Sequence, residues 1–351
     1  MSTILIIALL VVIGIAIWQV VKIFELTQPL SKEDSTIAND RDNTINGYLM
    51  FLFLVFLYGL MIFSIAKYGH FVLATPASAH GVDYDNLMWI SLVIIFIVQF
   101  LTQALLHYFT FKYRGSKSRK ALYFADNDKL EMIWTIIPVV TLAGLILYGL
   151  YTWNTIMNVD ENEDAIVVEL YAQQFAWTAR YAGADNVLGD ANVRLIDIDR
   201  ANVLGVDESD PNAQDDIITK ELHLPVNKRV IFKIRSQDVL HSAYMPHFRA
   251  QMNCVPGMVT QFSFIPTVTT AEMRTKPQIA QQVIDVNAIR SEKRAKGIDA
   301  DPWEFDYILL CNKICGKSHY NMQMKIIVET EEEFNAWLKE QKTFPESLIT
   351  N

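Results

Sequence analysis

Apolar residues run almost unbroken through four stretches of the first half of the chain. In the second half they alternate with polar ones in short bursts. A bilayer core takes about 20 helical residues. The four stretches, at about 3–24, 45–67, 87–111 and 131–157, therefore predict four transmembrane helices. From Ala165 onward the period shortens to two. Ile166–Tyr171, Glu221–Leu224, Arg229–Arg235, Val259–Phe264, Phe305–Leu310 and Met324–Glu329 read as strands. Many short strands between turn residues such as Pro225, Asn227 and Pro256-Gly257 predict an antiparallel all-β sandwich or barrel. The chain thus divides into a transmembrane region, 1–157, and a second domain, 158–351. Two stretches interrupt the strand pattern, 183–220, which is acidic and loop-like, and 267–302, whose run Ile279–Ile289 has helical periodicity. Glu331–Gln341 predicts an amphipathic helix capped by Thr330, with Glu333 three residues on.

Basic residues orient the helices. The loop after the third carries Lys112, Arg114, Lys117, Arg119, Lys120 and Lys129, whereas residues 68–86 carry no Lys or Arg. The positive-inside rule then puts the basic loop and the first loop inside, with the second domain and the N-terminus outside. The first helix lacks a basic leader and a nearby small-residue cleavage site, so it reads as retained rather than as a secretory signal. Ala77-Ser78-Ala79 is the less favoured cleavage alternative.

Composition sharpens this division. Hydrophobic residues make 51% of the 351 and charged residues 20%. Residues 1–154 are neutral, and residues 155–351 hold twenty Lys and Arg against twenty-nine Asp and Glu, which is the whole net charge of −9. An acidic outer half argues against nucleic acid as a partner. A basic protein is a plausible one, although an acidic face is more often simply solvated.

The chemistry concentrates in Cys311-Asn-Lys-Ile-Cys315-Gly-Lys-Ser-His319-Tyr-Asn-Met322. Two thiols, an imidazole and a thioether in that order suit copper, for which soft sulfur, imidazole and a weak Met are characteristic ligands. Structural zinc favours closer Cys pairs and almost never uses Met. A mononuclear blue-copper ion needs one Cys, so the second suggests two metals sharing both sulfurs. A disulfide and an uninvolved loop are the competing readings. A further His is needed, and His241, in Gln237-Asp-Val-Leu-His-Ser-Ala-Tyr-Met-Pro246, is the best candidate. No Cys-x-x-Cys-His occurs, so no covalent c-type haem is expected. Cys254 reads as a small buried residue. His107 is the lone His within a predicted span and reads as interfacial.

These two segments resemble the dinuclear copper (CuA) site of the cytochrome c oxidase subunit II family, with its D-V-x-H-S segment and C-x-E-x-C-G-x-x-H-x-x-M motif. The resemblance implies a cupredoxin-like Greek-key barrel. It implies Cys311 and Cys315 as bridging thiolates, His241 and His319 as terminal ligands, Met322 as a weak ligand and the main-chain carbonyl of Lys313 as the last. The family usually has Glu at Lys313 and uses its side chain on a magnesium ion shared with the catalytic subunit, a role lysine cannot fill. Gln251 and Asn253 replace a Lys and an Asp that the family often carries after the His segment. Leu130-Glu131-Met-Ile-Trp134-Thr-Ile-Ile-Pro138 is similar to the family's L-E-x-x-W-T-x-x-P, where the Glu lies at the inner mouth of a proton channel. Glu131 and Trp134 also read simply as interface anchors. The run from Ala172 to Tyr181 resembles the family's aromatic patch. It implies that electrons arrive at or near Phe175, with Trp177 as ordinary strand core or part of the same patch. The two helices before residue 87 lie outside the family's two-helix pattern.

The resemblance implies an electron relay in a bacterial inner membrane. A c-type cytochrome would reduce the copper pair, which would pass electrons to haem in catalytic subunit I, with subunit III as a further neighbour. The alternative is a membrane-anchored copper-binding or copper-delivery protein without a catalytic partner. A quinol-oxidase relative would lack the copper ligands.

Overall fold

The computed structural model describes residues 2–27, 40–159 and 164–348. Part of the loop expected between the first two helices lies outside the described residues. Four helices open the chain, α1 (Ser2–Thr27), α2 (Asp40–Tyr68), α3 (Ala79–Lys112) and α4 (Asp128–Met157). Among the described residues, three helices are long and apolar enough to cross a membrane, beginning at Asp40, Ala79 and Asp128, and a shorter apolar run covers Val11–Ile23.

The chain forms two compact units, Met1–Lys67 with Ile95–Lys129, and Tyr68–Ile94 with Leu130–Asn351. In the first, α2 and α3 pack closely because Gly47 leaves room for Phe111: a β-carbon at Gly47 would lie 2.9 Å from that ring. Phe111 also meets Phe51 edge-on at 4.7 Å, and the Tyr58 hydroxyl donates to the Phe100 carbonyl. His107, near the end of α3, is buried, stacked on Phe53 with its Nδ1 on the Gln103 carbonyl, because α2 covers the face of α3 that carries it.

The second unit is a β-sandwich. Its strands are β1 (Ala165–Gln173), β2 (Ala176–Tyr181), β3 (Ile217–Thr219), β4 (Leu222–Pro225), β5 (Arg229–Ser236), β6 (His241–Met245), β7 (Ala250–Cys254), β8 (Thr260–Phe264), β9 (Tyr307–Cys311) and β10 (Gln323–Glu329). One sheet has the order β3-β2-β1-β5-β8, the other β4-β10-β9-β6-β7. The pairing is mixed, since β1 runs parallel to β5 and β4 parallel to β10. That departs from the antiparallel arrangement expected. Alternation reports which face of a strand is buried and is silent on strand direction. The inner faces bury Val168, Leu170, Phe232, Leu224, Leu309 and Ile326.

Between β8 and β9 come α5 (Thr270–Thr275) and α6 (Pro277–Ala295). After β10, α7 (Glu331–Glu340) starts on the expected capping box: the Thr330 hydroxyl accepts from the Glu333 amide while Glu333 reaches back to the Thr330 amide. The acidic stretch 183–216 is folded over the outer face of the first sheet. Arg180 holds it there, donating to Glu169 at 2.6 Å, to Asp216 at 3.0 Å and to the Gly189 carbonyl at 2.9 Å. Beneath lies a small separate core of Tyr171, Leu204, Val206, Ala213 and Phe344.

The first turns of α3 belong to this unit as well. The α2–α3 connection lies along the continuation of β8, with the Ala79 amide donating to the Ile265 carbonyl and the Thr267 amide to that of Ala77. Ala77 and Ser78 are fully buried there. Arg249, in the β6–β7 turn, donates to both carboxylate oxygens of Asp85 at 2.7 and 2.8 Å. It also donates to the carbonyls of Ala74 and Pro246. α3 begins eight residues before the predicted start because these turns rest on protein rather than lipid.

Candidate metal centre

Two neighbouring strands of the second sheet carry the site. β6 and β9 pair antiparallel with Ala243 opposite Cys311, which places His241, the first residue of β6, beside the chain just leaving β9. The intervening loop is held at both ends: the Cys311 amide donates to the Met322 carbonyl at 3.1 Å and the Asn312 amide to that of Ser242 at 3.0 Å.

Six atoms converge there in two sets. Around Cys311 Sγ stand His241 Nδ1 at 3.7 Å and the Lys313 carbonyl at 3.2 Å. Around Cys315 Sγ stand His319 Nδ1 at 3.6 Å and Met322 Sδ at 3.8 Å. The two sulfurs lie 3.8 Å apart, far beyond the roughly 2.05 Å of a disulfide, and both thiols are free. Metal bonds of about 2.0–2.1 Å to nitrogen and 2.3 Å to sulfur give tetrahedral edges of roughly 3.5–3.8 Å. The spacings therefore suit donors arranged around a metal. His241, Cys311 and Cys315 form a buried cluster whose ligand atoms lie within 4.8 Å of one another. His319 is half-buried and the Lys313 side chain exposed.

The surroundings fix the ligands. Asp238 Oδ1 lies 2.8 Å from His241 Nε2, so that nitrogen donates and Nδ1 keeps its lone pair for the site. The same carboxylate accepts from the amides of Gln174 at 2.7 Å and Val239 at 2.7 Å. Burial alone would raise the Asp238 carboxyl, but the hydrogen bonds from His241, Gln174 and Val239 hold it below the ordinary value. Burial, with Cys311 beside it, pushes the Cys315 thiol up to about 11. A metal cation binding this sulfur would displace its proton. Gln174 Nε2 donates to the Cys315 carbonyl at 2.5 Å, and the Phe175 ring covers Gly316. The tip of the β1–β2 hairpin thus touches both ligand segments. Trp177 is buried, with its ring centroid 6.4 Å from that of His241, and Phe175 is half-exposed.

Cys254 is buried opposite His241 in the β6–β7 ladder, and burial pushes its thiol up to about 12. Glu131 lies exposed in the first turn of α4, away from the cluster in sequence and in its own helix. Sequence reading missed Asp238 and Gln174. An acid three residues before a ligand His was a usable signal for the first. Nothing in the sequence marks the second.

The chain matches two family models, cytochrome C oxidase subunit II, transmembrane domain, over residues 66–152, and cytochrome C oxidase subunit II, periplasmic domain, over residues 166–272. The second match includes His241 and stops short of Cys311. An alternative cytochrome c oxidase subunit 2 of Bradyrhizobium diazoefficiens is 36% identical over 239 residues, which is 68% of this chain and 72% of that protein. A cytochrome c oxidase subunit 2 of Cereibacter sphaeroides is 23% identical over 272 residues, covering 72% and 73%. Among solved structures, the periplasmic domain of subunit II of cytochrome oxidase of Bradyrhizobium japonicum is similar over 50% of this chain and 93% of its own, with 20% identity and a TM-score of 0.30.

Proposed function

This chain belongs to the cytochrome c oxidase subunit II family, part of the haem-copper oxidase complex, and from that premise we propose that it is the complex's electron-accepting subunit. It is a membrane protein with a periplasmic domain of cupredoxin-like type, and copper binding follows from the family. The finer reading is a dinuclear CuA centre in a Greek-key barrel, residues 158–351, anchored by four transmembrane helices within 1–157 of a bacterial inner membrane.

One observation carries this reading: the donors fall into two half-sets, one around each of the sulfurs of Cys311 and Cys315, which lie 3.8 Å apart. Cys311 and Cys315 would bridge, His241 and His319 would close the two ends, and Met322 and the Lys313 carbonyl would complete the set. When bound, the copper pair supplies a one-electron centre. The protein's part is rigidity. Asp238 holds the His241 ring, Gln174 holds the Cys315 carbonyl, and burial excludes water from the sulfurs. Ligands that keep their places in both redox states keep the reorganisation small.

Electrons would arrive from a c-type cytochrome at the exposed edge of Phe175, with Trp177 behind it against His241. They would leave for haem in subunit I, where oxygen is reduced, with subunit III as a further neighbour. Glu131, at the inner start of α4, would stand at the proton-channel mouth of subunit I. The exposed Lys313 side chain supplies no carboxylate for a shared magnesium ion.

Metal analysis and EPR on the purified complex test the proposal. Two coppers per chain sharing one unpaired electron are expected, with haem co-purifying. In Cys311→Ser or His319→Ala that signal should vanish. A normal optical and EPR spectrum from either variant would sink the ligand assignment.

A further inference from the structure

We infer that the end of α6 formed by Ile289 and Lys293, with its C-cap Lys296 and Ile298 beyond it, rests on the anionic lipid surface beside the outer ends of α3 and α4. This goes beyond the electron-transfer reading and does not depend on it. α6 lies outside both matched family ranges, which end at residues 152 and 272.

Its position comes first. Gln278, in the first turn of α6, donates to the His70 carbonyl at 2.9 Å and accepts from the Thr75 hydroxyl at 2.9 Å. His70 stands two residues past the end of α2. Nine residues farther along α6, Asn287 brackets Trp303, accepting from its amide at 2.7 Å and donating to its carbonyl at 2.9 Å. Trp303 is on the side of the domain away from the metal. β9 runs from Tyr307 to Cys311, so Phe305 and then Trp303 step away from the ligands. Phe305 packs at 5.1 Å on His247, whose Nδ1 is 2.9 Å from the Thr75 carbonyl. Both ends of the first three turns of α6 are therefore held at the level where α3 enters the domain. Arg290 donates to the Asp301 carbonyl at 2.6 Å and Arg294 to that of Ala300 at 2.6 Å, just before Trp303.

Chemistry selects the occupant. Ile279, Val283 and Asn287 take the face toward the sandwich. Ile289 and Lys293 stand at i and i+4 on one flank, which makes them neighbours, and Lys296 is the C-cap that follows. All three are exposed, Ile289 at 58% and Ile298 at 53%. Residues 290–296 hold four basic groups against Glu292 alone, in a half-chain with nine more acids than bases. Exposed isoleucine beside lysine on a helix at the membrane level is what lies in a lipid interface. An anionic surface complements it. An acidic protein would meet the lysines as well, but it would not select the end of the domain nearest the bilayer.

The full chain in nanodiscs of phosphatidylcholine, with and without phosphatidylglycerol, tests this by hydrogen exchange. Amides of 289–298 should exchange about fivefold more slowly per engaged lysine in the anionic discs. Lys293→Glu with Lys296→Glu should remove that difference, with exchange in β1 and β5 unchanged as the check on folding. Equal exchange in the two discs would overturn the inference, as would a difference that survives the charge reversal. Protection that appears only when partner subunits are added would assign the flank to a protein instead.

Discussion

The Phe175 ring lies so close over Gly316 that a β-carbon on the glycine would meet its Cζ at 2.8 Å. Gly316 also holds a φ of +142°, where side chains other than hydrogen are strained. Both constraints act on the residue directly after Cys315, so the hairpin tip sets where the second sulfur can stand. Gly316→Ala should cost on the order of 1–3 kcal/mol and displace the ligand loop. A lowered thermal midpoint together with an altered copper spectrum is expected. An unchanged spectrum would mean that the loop does not depend on this contact.

Asp238 touches no metal donor atom, yet it holds the His241 ring by its far nitrogen at 2.8 Å. Removing such a partner commonly weakens metal binding about 10–100-fold. Asp238→Ala should therefore lose copper to a competing chelator at correspondingly lower chelator concentration. Equal retention by wild type and variant would show that packing alone orients His241.

Asp216 gives a pH test remote from the metal. Burial lifts its carboxyl from 3.8 to about 6, against the opposing pull of Arg180. Between those values the folded chain keeps a proton that the unfolded chain has released. Its contribution is full below the unfolded pKa and is lost as pH rises through about 6. The loss is on the order of 1–3 kcal/mol. Thermal midpoints of the detergent-solubilised chain should fall relative to those of Asp216→Asn as pH climbs through this window. Parallel curves for the two proteins would refute it.

The Arg249–Asp85 pair ties the β6–β7 turn to α3 from a left-handed backbone, φ 51° at Arg249. Arg249 is buried at 6% side-chain exposure, so Asp85→Ala leaves its charge uncompensated. Breaking a buried pair from one side costs about 3–5 kcal/mol. Hydrogen exchange across residues 72–86 should accelerate. The copper spectrum should not change, because Arg249 lies at the end of the β6–β7 hairpin opposite His241 and Cys254. A changed spectrum would link the clamp to the ligands.

The candidate ligand loop stood out because five of the six proposed donors fall within twelve consecutive residues, and soft ligands in order are rare in any other role. His241 was legible only with its flanking residues. The expected strands at Ile166, Arg229 and Met324 all formed; β10 shows the alternation plainly, whereas β1 is buried at five successive positions from Val168 to Ala172. β6 and β7 gave less sign. In His241–Met245 nearly every position is buried, so no alternation is left to read. The stretch 183–220 read as acidic and loop-like because what folds it, Arg180 against Glu169 and Asp216, joins positions far apart in the chain. The burial of His107 was hidden for a related reason: its cover comes from α2, about fifty residues earlier.

The Ala77–Ala79 segment has a consequence for biogenesis. It closes the open rim beside β8 with residues made nearly two hundred positions before Ile265, and it lies in the connection between two apolar helices. A chain whose helical hairpin entered the bilayer the wrong way round would leave that rim bare. Bare rims recruit other chains. Export of the globular half is therefore not enough for it to mature; the hairpin's tip must already be waiting on the same side.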